Sequence, residues 1–340
     1  MKLILATGIS GVGEKKYLKE WEDYCSKRGK KVKVFHVGEM MLEHAYSCGI
    51  KLNKKNFLNA DKDLLQMNRS AVFTGILSDI FANEQNYDAV IICIHAFMFW
   101  KERFYRTYDR FLKKFSADMY ITFIDDFRNI AERLNQREEW RLKLTYVKIL
   151  YWQNIEVEVT SGWADFSDKQ FFALATGQPI STLYKLIFHP EIETVYVKMP
   201  IAHFREPEKR VMIDEFIKEL DTPFTVFSPL AVEAVGAFPI KKFGDEETLI
   251  INNHIVHRDL YWFVNQCNLG VTLWPGIVSS PGVNHETHES HNKTKDEWVV
   301  YLGEEASPFI TYFNTKLFTS KEEFFEFVYK KYPERRNLVW

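Results

Sequence analysis

Neither sign of charge is in excess in this 340-residue chain, where 44 Lys and Arg stand against 46 Asp and Glu. Nucleic acids and membrane surfaces are met by a strong basic surplus, so neither is expected as a partner. Organised cysteine is missing as well. Cys25, Cys48, Cys93 and Cys267 lie far apart, with no CxxC pair and no ladder of spacings, and read as reduced core thiols. No run approaches the roughly 18 uninterrupted apolar residues of a membrane helix, and no charged, apolar and small leader opens the chain, so a cytoplasmic location is expected. Repeats and low-complexity tracts are absent too. What is plentiful is aromatic side chain, 16% of residues, which points to large filled cores in a chain long enough for two domains.

The first half alternates strand-like and helix-like segments. Lys2 to Thr7, Val32 to Val37, Ala89 to Ile94 and Met119 to Ile124 read as strands of a parallel sheet, with a helix from about Glu14 to Lys27 and a charged helix from Phe127 to Leu144. The pattern resets near Leu186 to Pro190. Beyond it, strands at Thr194 to Met199, Phe224 to Phe227, Leu269 to Trp274 and Trp298 to Leu302 alternate with helices from about Glu206, Asp259 and Asn284, and a last helix spans Ser320 to Tyr332. The expected fold class is α/β, with two doubly wound parallel-sheet domains at 1–188 and 192–340.

Gly8-Ile-Ser-Gly-Val-Gly13 follows the first strand and precedes a helix, the setting in which backbone N–H groups cradle phosphate. A Walker A loop needs Lys and then Ser or Thr after its last glycine. Here Glu14 and Lys15 follow, so transfer of a γ-phosphoryl group is not expected even where nucleotide binds. With Phe35 to Met41, His95-Ala96 and the arginines from Arg133 to Arg141, this half resembles archaeal-type adenylate kinases and related P-loop nucleoside monophosphate kinases over roughly residues 1 to 185. Cys93 departs from the acidic residue usual there. The resemblance implies a degenerate module with a possible nucleotide, ATP or similar, on Gly8, Gly11, Gly13, Lys15, Lys16, Arg133, Arg137 and Arg141; a working kinase would use Lys15 or Lys16 instead.

The second half carries two carboxylates and a small-residue turn. Asp259 opens an amphipathic run, the apolar strand to Trp274 follows, and Pro275 to Gly282 leads to Glu286. A carboxylate just past the end of a buried strand sits where open α/β sheets bind ligands. Cleaving an N-glycosidic bond by a retaining route needs one carboxylate at the anomeric carbon and an acid for the departing base, about 5 Å apart. Glu286 suits the first role and Asp259 the second. Ser279, Ser280 and the backbone at Gly282 offer an anion nest for a 5′-phosphate. The structural alternative makes Glu286 a first-turn helix carboxylate and Asp259 a cap.

Val195 to Ile201, His257 to Trp262, Ser280 to Glu286 and Val299 to Leu302 together resemble the nucleoside 2-deoxyribosyltransferase superfamily, above all the 2′-deoxynucleoside 5′-phosphate N-hydrolases. That resemblance implies Glu286 as nucleophile, Asp259 assisting the base, Ser280 on the phosphate, and Ser307 contributed to a neighbouring subunit's site. It further implies substrate contacts at Met199, Pro200 and His257, a small-molecule nucleotide substrate, a homodimer, and no cofactor for the cleavage. Asn268, the Ile201 to Phe204 loop and an insertion from about Leu230 to Glu247 depart from the pattern. His285, His288 and His291 recur every three residues without HExxH spacing, so no metal is assigned. Trp262, Phe263 and Trp274 read as core aromatics more than as base-stacking ones. The expected activity is a nucleotide N-glycosidase or deoxyribosyltransferase; the alternatives are a non-catalytic nucleotide sensor and an active monophosphate kinase.

Overall fold

The structure is a computed structural model and describes residues 1–101, 103–106, 114–201, 207–232, 245–276 and 278–340. The chain divides into two compact units between Thr176 and Gly177, earlier than the 188–192 expected from the sequence.

The first unit runs β1 (Lys2–Gly8), α1 (Glu14–Lys27), β2 (Val32–His36), α2 (Val37–Ser47), α3 (Lys62–Asn83), β3 (Ala89–Ile94), β4 (Phe97–Trp100), β5 (Arg103–Arg106), β6 (Met119–Ile124), α4 (Phe127–Asn135), α5 (Tyr146–Phe166) and β7 (Gln170–Ala175). Its parallel sheet has the order β2-β3-β1-β6-β7. The apolar runs of β1, β3 and β6 are buried almost throughout because helices cover both faces. Leu3, Leu5, Val90 and Ile92 pack with Val72, Phe73 and Ile76 of α3, each such side chain contributing about 1.5–3 kcal/mol of burial free energy. Three features differ from the sequence expectation. β7 is a fifth strand; β4 and β5 form an antiparallel pair; and the expected helix from Phe127 to Leu144 stops at Asn135, a new helix starting at Tyr146 with Thr145 Oγ1 as its cap.

The second unit comprises α6 (Ile180–Phe188), β8 (Thr194–Lys198), α7 (Pro207–Leu220), β9 (Thr225–Phe227), α8 (Glu246–His257), a π-helical stretch (Arg258–Phe263), α9 (Val264–Gln266), β10 (Leu269–Trp274), α10 (Pro281–Asn292), β11 (Asp296–Tyr301), α11 (Pro308–Tyr312), β12 (Lys316–Phe318) and α12 (Lys321–Lys331). The segment expected to be a reset at Leu186 is helix α6, joined to this unit by the buried Lys185 ammonium, which donates to Asp221 Oδ1 and to the Phe224 carbonyl at 2.7 Å each. The parallel sheet has the order β12-β11-β10-β8-β9. Val195, Val197, Val271 and Leu273 pack on one face with Phe216 and Phe324, while Val283 of α10 meets Trp274, Val299 and Tyr301 on the other. Both units are doubly wound α/β sheets. The strand order reverses between β8 and β10, and the carboxyl ends of two such strands frame the crevice in which open α/β sheets bind ligands.

Most of the Ile201 to Phe204 loop and of the Leu230 to Glu247 insertion lies outside the described residues. Among the described residues no helix is long and apolar enough to cross a membrane.

Candidate functional site

The turn after β1 is built on glycine because Gly11 and Gly13 hold φ at 85° and 99°, values other residues rarely adopt. The chain's own side chains occupy the polar groups around it. Glu156 of α5, fully buried, accepts the N–H groups of Gly8, Ala96 and Phe97 at 3.1, 2.7 and 2.9 Å. Burial pushes its carboxyl upward, and the three amides pull against that. Arg133 lies across the turn, donating to the Val12 carbonyl at 2.7 Å and pairing with Asp125, so that a Cβ on Gly13 would come within 2.4 Å of Nη1. Glu14, the first residue of α1, brings its carboxylate against the N–H groups of Gly13 and of its own backbone, which are the donors a phosphate would use. Burial raises the Glu14 carboxyl and Lys15 and Arg137 act to lower it.

Lys15 pairs with Glu39 and the exposed Lys16 with Glu20. His95, kept neutral by burial that lowers its pKa to about 4, donates from Nδ1 to the Gly8 carbonyl. Gly8, Gly11, Gly13, Lys15, Arg133 and Arg137 thus gather around one turn. Lys16 and Arg141 do not; Arg141 reaches the Asn135 carbonyl.

In the second unit, α10 starts where Ser280 caps it, Oγ accepting from the Val283 N–H at 3.5 Å. Val283, Thr287 and Ser290 form the buried face, and helical geometry places Glu286 on the same side, in the second turn. Tyr196 of β8 donates its hydroxyl to Glu286 Oε1 at 3.1 Å. Asp259 reaches the same place from the π-helical stretch, where its carboxylate takes Nε and Nη2 of Arg258 at 2.8 and 3.3 Å. The charges of Glu286 and Asp259 act on each other and on the Tyr196 phenol. Burial first and Asp259 second hold the Glu286 carboxyl well above the usual carboxylate range; Lys198 and the Tyr196 hydroxyl pull it back. Both structural alternatives fall: Asp259 lies inside one continuous helical run from Glu246 to Gln266 and caps nothing, and Glu286 is past the first turn.

Other expected contacts separate. Gly282 is the second residue of α10, open to solvent, with nothing within 4 Å of a Cβ built there, so its lack of a side chain serves no close approach. Ser279 is exposed beside it. Met199 packs into the sheet core and offers only its backbone, with Pro200 buried next to it. The His257 ring lies 5.0 Å from that of Tyr261 and 5.8 Å from that of Trp262. Ser307 caps α11, accepting from the Phe309 N–H at 3.3 Å. Trp262, Phe263 and Trp274 are buried, as core aromatics. His285 Nδ1 donates to the Pro281 carbonyl, while His288 and His291 set their rings against Phe313. Among the described residues no three His, Cys, Asp or Glu side chains converge as a metal site. Asn268 anchors the amino ends of two strands, accepting Thr194 N–H and Oγ1 at 3.1 and 2.8 Å, and so stands at the far edge of the sheet from Glu286. A cavity of about 570 Å³ opens at that far edge, lined by Asn268, Lys295, Asp296 and Lys331, and contains neither Asp259 nor Glu286.

Sequence reasoning missed Tyr196, Arg258, Lys198 and Glu297. Lys198 of β8 and Glu297 of β11 are completely buried and form an ion pair, with Thr272 Oγ1 donating to Glu297 Oε1 at 2.7 Å and Lys198 Nζ to Ser290 Oγ at 2.6 Å. The available signal was Gly270 in the middle of an apolar strand, since such a glycine marks a close approach by another group.

No protein-family model and no curated protein matches the chain. Among solved structures, a conserved protein from Enterococcus faecalis V583 aligns at 13% identity and a TM-score of 0.31, covering 41% of this chain and 99% of its own. An unliganded sugar kinase from Janibacter sp. HTCC2649 aligns at 15% identity and a TM-score of 0.30, covering 55% of this chain and 91% of its own. Likenesses this slight carry no argument about function.

Proposed function

We propose that the second unit cleaves, by hydrolysis or transfer, the N-glycosidic bond of a nucleoside 5′-monophosphate or a related nucleotide. The observation that carries this reading is the convergence of Glu286, Asp259 and the Tyr196 hydroxyl beside the point where the strand order reverses. The pair holds one carboxyl proton at the start, which leaves with the base and is replaced by one from the attacking water or acceptor base. That proton passes from Glu286 to Asp259 and on to a ring nitrogen of the base, while Glu286 attacks C1′ and the C1′–N electron pair leaves with the base. A water, or an acceptor base, then gives a proton to Asp259 and attacks C1′, and the bond to Glu286 breaks. The amino end of α10, with Ser280 at its cap, receives the 5′-phosphate. The first unit, whose phosphate donors are met by Glu14 and Glu156, serves as a degenerate nucleotide-kinase-like module, and the assembly is a homodimer.

Release of free base from a panel of nucleoside monophosphates, parent protein against Glu286→Ala, tests the reading. Base release by the parent that Glu286→Ala abolishes supports it; equal release by both, or none by either, discards it. Retained nucleotide binding without turnover would favour the sensor reading instead.

A further inference from the structure

On the face of the second sheet that carries α10, three strands place their side chains in one row. Register pairs Gly270 with Tyr196 on one side and with Glu297 on the other, and Lys198 and Thr272 follow two residues later on the same face. Gly270 is the gap in that row. A Cβ there would stand 1.9 Å from Glu297 Oε2 and 2.7 Å from Lys198 Nζ, so the ion pair lies directly over bare backbone. Two same-face residues of β8 also grip successive turns of α10: Tyr196 bonds Glu286, and Lys198 bonds Ser290 four residues on. Burying an ammonium and a carboxylate this completely is costly, and an apolar pair of similar volume is commonly as stable, so stability alone gives a weak reason for it.

We infer that the Lys198–Glu297 pair, laid across Gly270, is a positioning device for Glu286: it fixes the turn of α10 after that residue and keeps a buried cation beneath its carboxylate. The groups facing Glu286 are Tyr196 and Lys198 from β8, Asp259 with Arg258 from the π-helical stretch, Glu297 from β11, and His285 and Glu289 as neighbours on α10 itself. Among the charges, Asp259 and Glu297 oppose ionisation of Glu286 and Lys198 favours it. The pair therefore acts as a graded counter-charge, with Glu297 holding the lysine in place and moderating its effect. Its relevance to catalysis rests on the reading of Glu286 as nucleophile, but its electrostatic effect is measurable without any substrate.

The experiment follows the carboxyl resonance of Glu286 in protein labelled with ¹³C at the glutamate carboxyl, assigned by its disappearance in Glu286→Gln, as pH is raised. Glu297→Gln keeps the acceptor oxygen for Lys198 and removes the moderating charge, so the Glu286 midpoint falls by about one pH unit, the size of effect one nearby charge exerts. Lys198→Met combined with Glu297→Gln removes both charges, and the midpoint returns to or above the parent value. The double variant replaces a buried pair by neutral groups of like volume and so provides the comparison with the parent if the single variant does not fold. A midpoint that is the same in all folded variants, or one that falls in the double variant, overturns the inference. Midpoints that move as stated in a protein releasing no base would retain the inference and discard the glycosidic reading.

Discussion

Gly270→Ala tests the packing behind the buried ion pair most directly. The added methyl has no room: at 1.9 Å from a carboxylate oxygen and 2.7 Å from an ammonium, either the strand shifts or Lys198 and Glu297 part. Overpacking a core costs typically ~1–3 kcal/mol, and breaking a buried pair ~3–5 kcal/mol. Replacing glycine in a strand returns about 0.4–1 kcal/mol through the unfolded chain. The expected net loss is about 3 kcal/mol. At about 2–4 °C per kcal/mol for a unit of this size, the second unit's melting transition should fall by roughly 6–12 °C. Calorimetry that resolves the two units measures it, and urea unfolding followed by the tryptophans supplies a second estimate. In the Lys198→Met/Glu297→Ala background the space is vacated, and the same Gly270→Ala change should cost less than about 1 kcal/mol. An equal cost in both backgrounds, or no cost in the parent, would refute the claim that the pair occupies that space.

Tyr196→Phe removes the hydroxyl that helps Glu286 ionise, so base release should fall about tenfold and the alkaline limb of its pH profile, where the Glu286 proton is lost, should move to higher pH; an unmoved limb counts against the contact. Asp259→Asn removes the charge that raises the Glu286 carboxyl, so that limb should move to lower pH while the maximal rate drops by about 10²-fold or more. Because the folded-state carboxyl of Glu286 is raised, its proton stabilises the native state at low pH, and this contribution is lost as pH rises from the ordinary glutamate range towards the folded value. Glu286→Gln should accordingly flatten the decline in stability over that window, as read from urea midpoints taken at successive pH values. In the first unit, Glu156→Ala strands three backbone N–H donors and should cost at least about 3 kcal/mol, seen in that unit's unfolding transition.

Runs of apolar residues made β1, β3, β6 and β10 legible, because strands covered on both faces need no alternation. β12 escaped notice because three residues, Lys316–Phe318, are too few to show a period, and the β4 and β5 pair because its aromatic letters read equally well as part of a helix. At the site, the two acids stood out because Asp259 opens an amphipathic run and Glu286 follows an apolar strand and a small-residue turn. Tyr196 did not, since within Thr-Val-Tyr-Val-Lys it reads as one more β-former. Lys198 and Glu297 were hidden for the opposite reason: a charge in a strand is ordinarily turned to water, and only the partner 99 residues away reveals otherwise.

The π-helical stretch Arg258–Phe263 has a wider bearing. Its coil takes more residues per revolution than the helices on either side, so everything downstream is rotated relative to a regular spiral by the angle of about one residue, roughly 100°. Trp262, Phe263 and Val264, at the end of the stretch and just beyond it, are turned into the core by winding as much as by spelling. Any comparison that lines up related chains letter by letter through this segment will misassign the inward side beyond it unless one relative carries the extra residue and the other a gap.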